Sequence, residues 1–251
     1  MGEAPDPGRG VSVSTAPPDA VELLRRYLQQ RLDAGEKAVF SASSGAAAGV
    51  TATGASEAGL AAGGIDSLAK VAAEVRACTR CRLHATRTQA VPGVGPEGAA
   101  VLFIGEGPGA DEDAQGEPFV GRAGQLLTKI IESVQLRRQD VFITNIVKCR
   151  PPNNRDPEPD EIAACRPYLD RQVRLLQPRV ICTLGRHAGS TLLGRQESMA
   201  SLRSGQHTYA EIPLFPTYHP AALLRNPQWK RPVWEDIQKV RRAFDRSSES
   251  S

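Results

Sequence analysis

The chain has 251 residues, 40% of them hydrophobic and 24% charged, with a formal net charge of +3; this is the balance of a soluble globular protein, with room for one well-buried domain of roughly 150–200 residues and some further sequence. No apolar run approaches the roughly 20 residues that a membrane span needs, and no charged-then-apolar leader opens the chain, so a cytoplasmic protein is expected. Five cysteines, an odd number in a reducing compartment, argue against a disulfide framework and leave metal binding or burial.

Residues 1–66 carry five basic and eight acidic side chains, against 26 basic and 20 acidic in the remainder. A basic body thus stands behind an acidic head, and such a body suits a polyanionic partner. Residues 1–65 read as a flexible arm, because 1–18 and 41–64 are small, Ala/Gly/Ser-rich or Pro-rich and bury too little to offset the entropy of ordering. Within it, Val21, Leu24, Tyr27, Leu28 and Leu32 at helical spacing predict one amphipathic helix over about 19–37. A compact domain is predicted over 66–246, followed by a disordered tail, 247–251.

Asp66 is the expected N-cap of a helix through Leu68, Val71, Ala72 and Val75, which delivers Cys78 and Cys81 just past its end. Apolar runs at 100–104, 141–147 and 180–184 predict buried strands. Each is followed by a helical stretch, at 123–134, 159–176 and 186–193. A fourth strand is predicted at 212–217, with helices near 221–225 and 233–244. Repeated β-then-α implies a three-layer α/β/α sandwich around a mainly parallel four-stranded sheet. Ligands of such sheets bind beyond the carboxyl ends of the strands.

Cys78-Thr-Arg-Cys81 is a CxxC pair, with Cys149 directly after a strand and Cys165 in the next helix. Four thiolates from separated segments can close one site for zinc or for an iron–sulfur cluster, and spacing does not choose between them. Cys182, mid-strand, reads as a small core hydrophobe.

After the first strand come Gly105-Glu106-Gly107-Pro108-Gly109 and Pro118-Phe119-Val120-Gly121. This Gly-rich loop is acidic and lacks both the dinucleotide fingerprint and the Lys-Ser/Thr of a P-loop, so it is not a phosphate cradle. The second strand ends in Thr144-Asn145 and runs into Cys149-Arg150-Pro151-Pro152, and the last ends in Tyr218-His219-Pro220. With the CxxC pair and Cys165, these elements make the chain resemble the iron–sulfur class of uracil-DNA glycosylases, often called family four, over roughly residues 66–245.

The resemblance implies a monofunctional repair enzyme that flips uracil out of single- or double-stranded DNA and hydrolyses its N-glycosidic bond, starting base excision repair. It implies a four-iron, four-sulfur cluster on Cys78, Cys81, Cys149 and Cys165, with zinc as the alternative. Phe119 would stack on the base and Asn145 would read its edge. His219 would donate to O2, and the backbone of Gly105 and Gly107 would lie beside the base. Glu106 and Glu112 are the candidates for handling water, Glu106 preferred because it directly follows the strand. Leu223 would fill the vacated stack, and Arg225 would meet a phosphate, as would Arg150 and Arg155. A related branch traps the sugar on a histidine in an inserted basic loop; no such insertion lies between Cys149 and Cys165. A monomer is expected, with the arm as a contact for a replication or repair protein.

Overall fold

The computed structural model describes residues 66–249, so the expected arm and its helix lie outside the described residues. In chain order the main elements are α1 (Leu68–Ala77), β1 (Val101–Gly105), α2 (Ala110–Gln115), α3 (Arg122–Glu132), β2 (Phe142–Asn145), α4 (Pro159–Leu176), β3 (Val180–Leu184), α5 (Arg186–Leu193), α6 (Met199–Ser204), β4 (His207–Tyr209), β5 (Ile212–Thr217), α7 (Pro220–Arg225) and α8 (Lys230–Glu249).

The sheet has five strands in the order β2-β1-β3-β5-β4. Four are parallel, and β4 pairs antiparallel with β5, matching His207 to Leu214 and Tyr209 to Ile212. The expected count of four is therefore one short. The extra strand is a three-residue edge, His-Thr-Tyr, partly exposed and without an apolar run to announce it.

Side chains alternate across the strands, and each face carries its own core. Leu102, Ile104, Ile181 and Leu214 point to one side, where they pack with Val71 and Val75 of α1, Leu169 and Val173 of α4, and Ala188 and Leu192 of α5. Val101, Phe103, Val180 and Cys182 point to the other, where Leu127 and Ile131 of α3 and Ile237 and Val240 of α8 cover them. These two cores make the α/β/α sandwich, and Cys182 is fully buried in the second.

Two local expectations shift. Ser67, not Asp66, caps α1, accepting from Lys70 N at 3.2 Å; Asp66 instead takes Arg171 Nη2 at 2.7 Å, which ties the start of the domain to α4. At the other end α8 continues to Glu249, past the boundary expected at 246. Backbone hydrogen bonding carries a helix beyond its last apolar residue, here Phe244, where the apolar pattern ceases to mark it. Among the described residues no helix is long and apolar enough to cross a membrane.

Candidate active site

The carboxyl ends of β1 and β2 are laced together: Ile146 N donates to Gly105 O at 2.9 Å and Val147 N to Glu106 O at 3.0 Å. A cleft of about 420 Å³ opens above them, lined by Glu106, Gly107, Phe119, Asn145, His219 and Arg225 among others. Three distant stretches of chain meet there, and its size is that of a small-molecule site.

Asn145 closes β2, is 1% exposed, and leaves its side-chain Oδ1 buried without a hydrogen-bond partner. An unmatched buried acceptor costs on the order of 1–3 kcal/mol, so its place on a cleft wall points to a ligand that donates to it. Gly105 makes the approach possible, because a Cβ there would stand 2.6 Å from the Phe119 ring and closer still to Oδ1.

Phe119 is held in the left-handed region, φ 55°, an unfavourable conformation for a bulky residue. Its turn is pinned from two sides. Glu112, the first turn of α2, accepts from Gly109 N at 3.1 Å, Val120 N at 3.0 Å and Gly121 N at 3.2 Å. On the far side, a Cβ on Gly124 would overlap the Phe119 carbonyl, so α3 begins against the turn only because that residue is bare. Although it edges the cleft, Glu112 is thus spent on backbone amides.

His219 follows β5 and caps α7, its Nδ1 accepting from Ala221 N at 3.2 Å. With Nδ1 an acceptor, the proton of a neutral ring sits on Nε2. Burial, then the nearby Arg225 charge, pulls its pKa down to about 4 against a weak opposing pull from Glu112, so the ring is neutral at pH 7. Its centroid lies 5.5 Å from that of Phe119, the planes tilted by 34°. The strand end beneath is fixed by Thr217 Oγ1 donating to buried Asp236 at 2.8 Å and by Tyr218 stacking on Trp229 at 4.6 Å.

Glu106 lines the same cleft. Burial, and secondarily the charge of Asp156, raises its pKa to about 7, opposed by Arg186. Donor atoms of Glu106, Asp156 and His187 all lie within 4.8 Å of one another, and His187 Nε2 is 2.9 Å from Asp156. Neither Asp156 nor His187 was marked by the sequence, since each stands in a loop or helix start with no motif around it.

Leu223 is 2% exposed and packs inward, whereas Leu224 beside it is 43% exposed. The short helix α7 turns Leu223, the residue expected to fill the stack, toward the protein and presents the next side chain outward. Arg225 is exposed at the cleft edge. Arg155 is engaged by Glu161, with Nη1 to Oε2 at 2.9 Å and Nη2 to Oε1 at 2.6 Å, and Arg150 Nε donates to Asn154 at 2.8 Å.

Cys78, Cys81, Cys149 and Cys165 line one separate small cavity with Val75, Arg87, Lys148 and Tyr168. N–H groups point at the sulfurs: Arg87 Nη1 to Cys149 at 2.9 Å, Lys148 N to Cys165 at 3.3 Å and Arg80 N to Cys78 at 3.5 Å. Burial pushes the Cys165 thiol up to about 11 and Cys149 upward as well, so thiolates here need a cationic partner to persist. No three of these sulfurs come within 4.8 Å of one another; among the described residues only Glu106, Asp156 and His187 form such a group.

Residues 92–238 match the family model described as the uracil DNA glycosylase superfamily. The chain is 51% identical over 189 residues to the type-4 uracil-DNA glycosylase of Saccharolobus solfataricus, covering 72% of this chain and 88% of that one. With the Sulfurisphaera tokodaii type-4 uracil-DNA glycosylase it shares 49% over 186 residues, 70% of this chain and 84% of the other.

The chain belongs to the uracil DNA glycosylase superfamily, among its type-4 members.

A further type-4 uracil-DNA glycosylase, that of Archaeoglobus fulgidus, is 45% identical over 184 residues, 70% of this chain and 92% of its own. As a type-4 member the chain carries the superfamily's α/β domain, with its cleft at the strand ends and its four-cysteine cavity on the α1–α4 side of the sheet.

Proposed function

We propose that this protein excises uracil from DNA, single- or double-stranded, by hydrolysing the N-glycosidic bond, and so opens base excision repair in the cytoplasm. The observation that carries the reading is the buried, unmatched Oδ1 of Asn145 on the cleft wall beside Phe119. Uracil offers a donor at N3 beside an acceptor at O4, which one rigid amide can answer with Oδ1 and Nδ2. Cytosine reverses that pattern and would leave the amide mismatched, a penalty that supports discrimination.

A uracil extruded from the stack lies on Phe119. As the bond from C1′ to N1 lengthens, negative charge gathers on the base and positive charge on the sugar. His219, neutral and protonated on Nε2, is suited to donate to O2 of the departing base, a hydrogen bond that strengthens with the developing charge. The carboxylate of Glu106 sits on the opposite demand: it faces the cationic sugar and takes a proton from the water that adds to C1′. A pKa near 7 suits that exchange at neutral pH. The proton ends on the released uracil or in solvent. Glu112 serves the reaction by holding the Phe119 turn, Arg225 meets a phosphate, and Leu224 fills the space the base leaves.

The four thiols are read as ligands of a four-iron, four-sulfur cluster. N–H donors on three of the four sulfurs support this, since such hydrogen bonds are the usual company of these clusters. When bound, the cluster supplies a cross-link among the CxxC loop, the end of β2 and α4, which a hydrolysis needs more than it needs an electron carrier.

The test uses purified protein with oligonucleotides carrying one uracil, thymine or cytosine, without added metal, followed by alkali treatment. Strand cleavage at uracil alone is expected, and cleavage at all three bases or at none rejects the proposal.

A further inference from the structure

Lys148 is 1% exposed, in a stretch, Ile-Val-Lys-Cys, whose neighbours are all buried. Removing a cation from water costs several kcal/mol, and a methionine or leucine would fill the same volume without that cost. The three ammonium donors are matched by three acceptors: Thr144 Oγ1 at 2.6 Å, the main-chain carbonyl of Asn145 at 2.8 Å and Gln172 Oε1 at 2.7 Å. Gln172, itself buried, donates from Nε2 to Pro92 O at 2.6 Å, and Thr144 donates to the same carbonyl at 3.1 Å. The ammonium is therefore a fully satisfied knot beneath the last two residues of β2.

The knot holds the peptide on which the Asn145 amide is mounted. A rotation of that peptide would swing the side chain away from the cleft, and Oδ1 makes no protein hydrogen bond that would hold it there. Gln172 lies seven residues after Cys165 on α4, on the same helix face, and the Lys148 amide donates to the Cys165 sulfur. One residue therefore touches both the base-reading strand end and the helix that bears a cluster ligand.

We propose that Lys148 is a positioning residue for uracil recognition, its buried ammonium locking the Asn145 peptide to Gln172 of α4 so that the Asn145 amide faces the cleft. This rests on the reading of Asn145 as the group that recognises the base.

The test is a double-mutant cycle on the full chain, using Lys148→Met, Asn145→Ala and the pair, with single-turnover excision from a uracil oligonucleotide, thermal melting and iron content measured for each. Lys148→Met is expected to lower excision by about 10- to 100-fold, the scale of a misplacement of about 1 Å, with iron content unchanged. It is expected to cost the Asn145→Ala protein almost nothing further, because the group it aims is already gone. Uracil excision at the wild-type rate by Lys148→Met, equal losses on both backgrounds, or loss of iron would overturn the proposal. Should Lys148→Met fail to fold, Gln172→Met, which removes one leg of the knot, is put through the same cycle with the same expected and overturning results. An Asn145→Ala protein as active as wild type would instead sink the Asn145 reading, an outcome distinct from additive losses, which sink the Lys148 role alone.

Discussion

Asn145 and Phe119 come together across the bare Cα of Gly105, their side chains occupying the space a methyl group would need. Gly105→Ala is therefore expected to push the amide or the ring out of place and to lower kcat/KM for uracil by at least about 100-fold. Asn145→Asp, which alters the donor and acceptor pattern without adding bulk, should lower uracil excision while narrowing the preference over cytosine. Steady-state kinetics on paired uracil and cytosine oligonucleotides read both effects; an unchanged ratio for Asn145→Asp would show that the amide does not choose the base.

Much of this arrangement was legible in the chain. The strands β1, β2, β3 and β5 announce themselves because each is an apolar run with a face to either core; Asn145 and His219 stand in motifs at strand ends, where this fold gathers its ligands, and Phe119 stands in the Pro-Phe-Val-Gly turn between α2 and α3. The exposed edge strand β4 had no such run. Glu112 resembled a free carboxylate because its partners are main-chain amides up to nine residues away, which no side-chain pattern records. Leu223 and Leu224 are adjacent and chemically alike, so only the set of α7 on the body decides which is core. Lys148 did carry a signal, a lysine amid buried neighbours, but its partners come from two elements and only the fold brings them together.

The Phe119 turn depends on Glu112. Glu112→Ala removes the acceptor of three backbone N–H groups and is expected to cost about 1–3 kcal/mol of stability and to raise KM as the ring loses its fixed pose, while kcat falls less. Glu112→Gln, which keeps an oxygen but not the charge, should fall between. Chemical denaturation and initial rates check the two effects; a collapse of kcat with KM unchanged would instead mark Glu112 as a group acting on the reacting atoms.

With Glu106 as the proposed acceptor of the water proton, the pH response follows its titration. Its folded pKa of about 7 implies that activity rises as the pH is taken up through about 7 and the carboxylate forms. Glu106→Gln should lower the rate and flatten the profile, and Asp156→Asn should move the midpoint down by removing a charge that raises it. Stability runs the other way. A carboxyl whose pKa is higher folded than unfolded binds more protons when folded, so its contribution is lost as pH rises from about 4.5 to about 7. Glu106→Gln should therefore be more stable than wild type above pH 7, by about 1–2 kcal/mol after allowance for its partial exposure. His219, lowered to about 4, acts at the acid end: burying it neutral costs stability as pH falls from about 6.5 to about 4, and has no effect above. Denaturation curves from pH 4 to 8 separate the two.

The cysteines divide into four and one. On the proposed cluster reading the wild-type protein should contain iron and absorb in the violet-blue, and Cys149→Ala and Cys165→Ala should each abolish both and lower the melting temperature. Cys182→Ala, in the core on the opposite face of the sheet, should keep both colour and iron. Metal analysis that finds zinc in an active, colourless wild-type protein would replace the cluster with a single ion.

Leu223 and Leu224 give a pair of neighbours with opposite expected effects. Leu223 is buried against the body, so Leu223→Ala should cost about 2–5 kcal/mol of stability through the cavity it leaves, with activity lost in step with folding. Leu224 has little to lose in the folded protein, being exposed on the helix that follows His219. If it occupies the gap a flipped base leaves, Leu224→Ala should melt within about 0.5 kcal/mol of wild type yet lose activity on duplex substrate. Single-stranded uracil has no stack to refill, so its excision should change little. The ratio of duplex to single-strand rates is therefore the decisive measurement: a drop for Leu224→Ala alone assigns the wedge to Leu224, while an equal loss on both substrates assigns that side chain to general DNA contact.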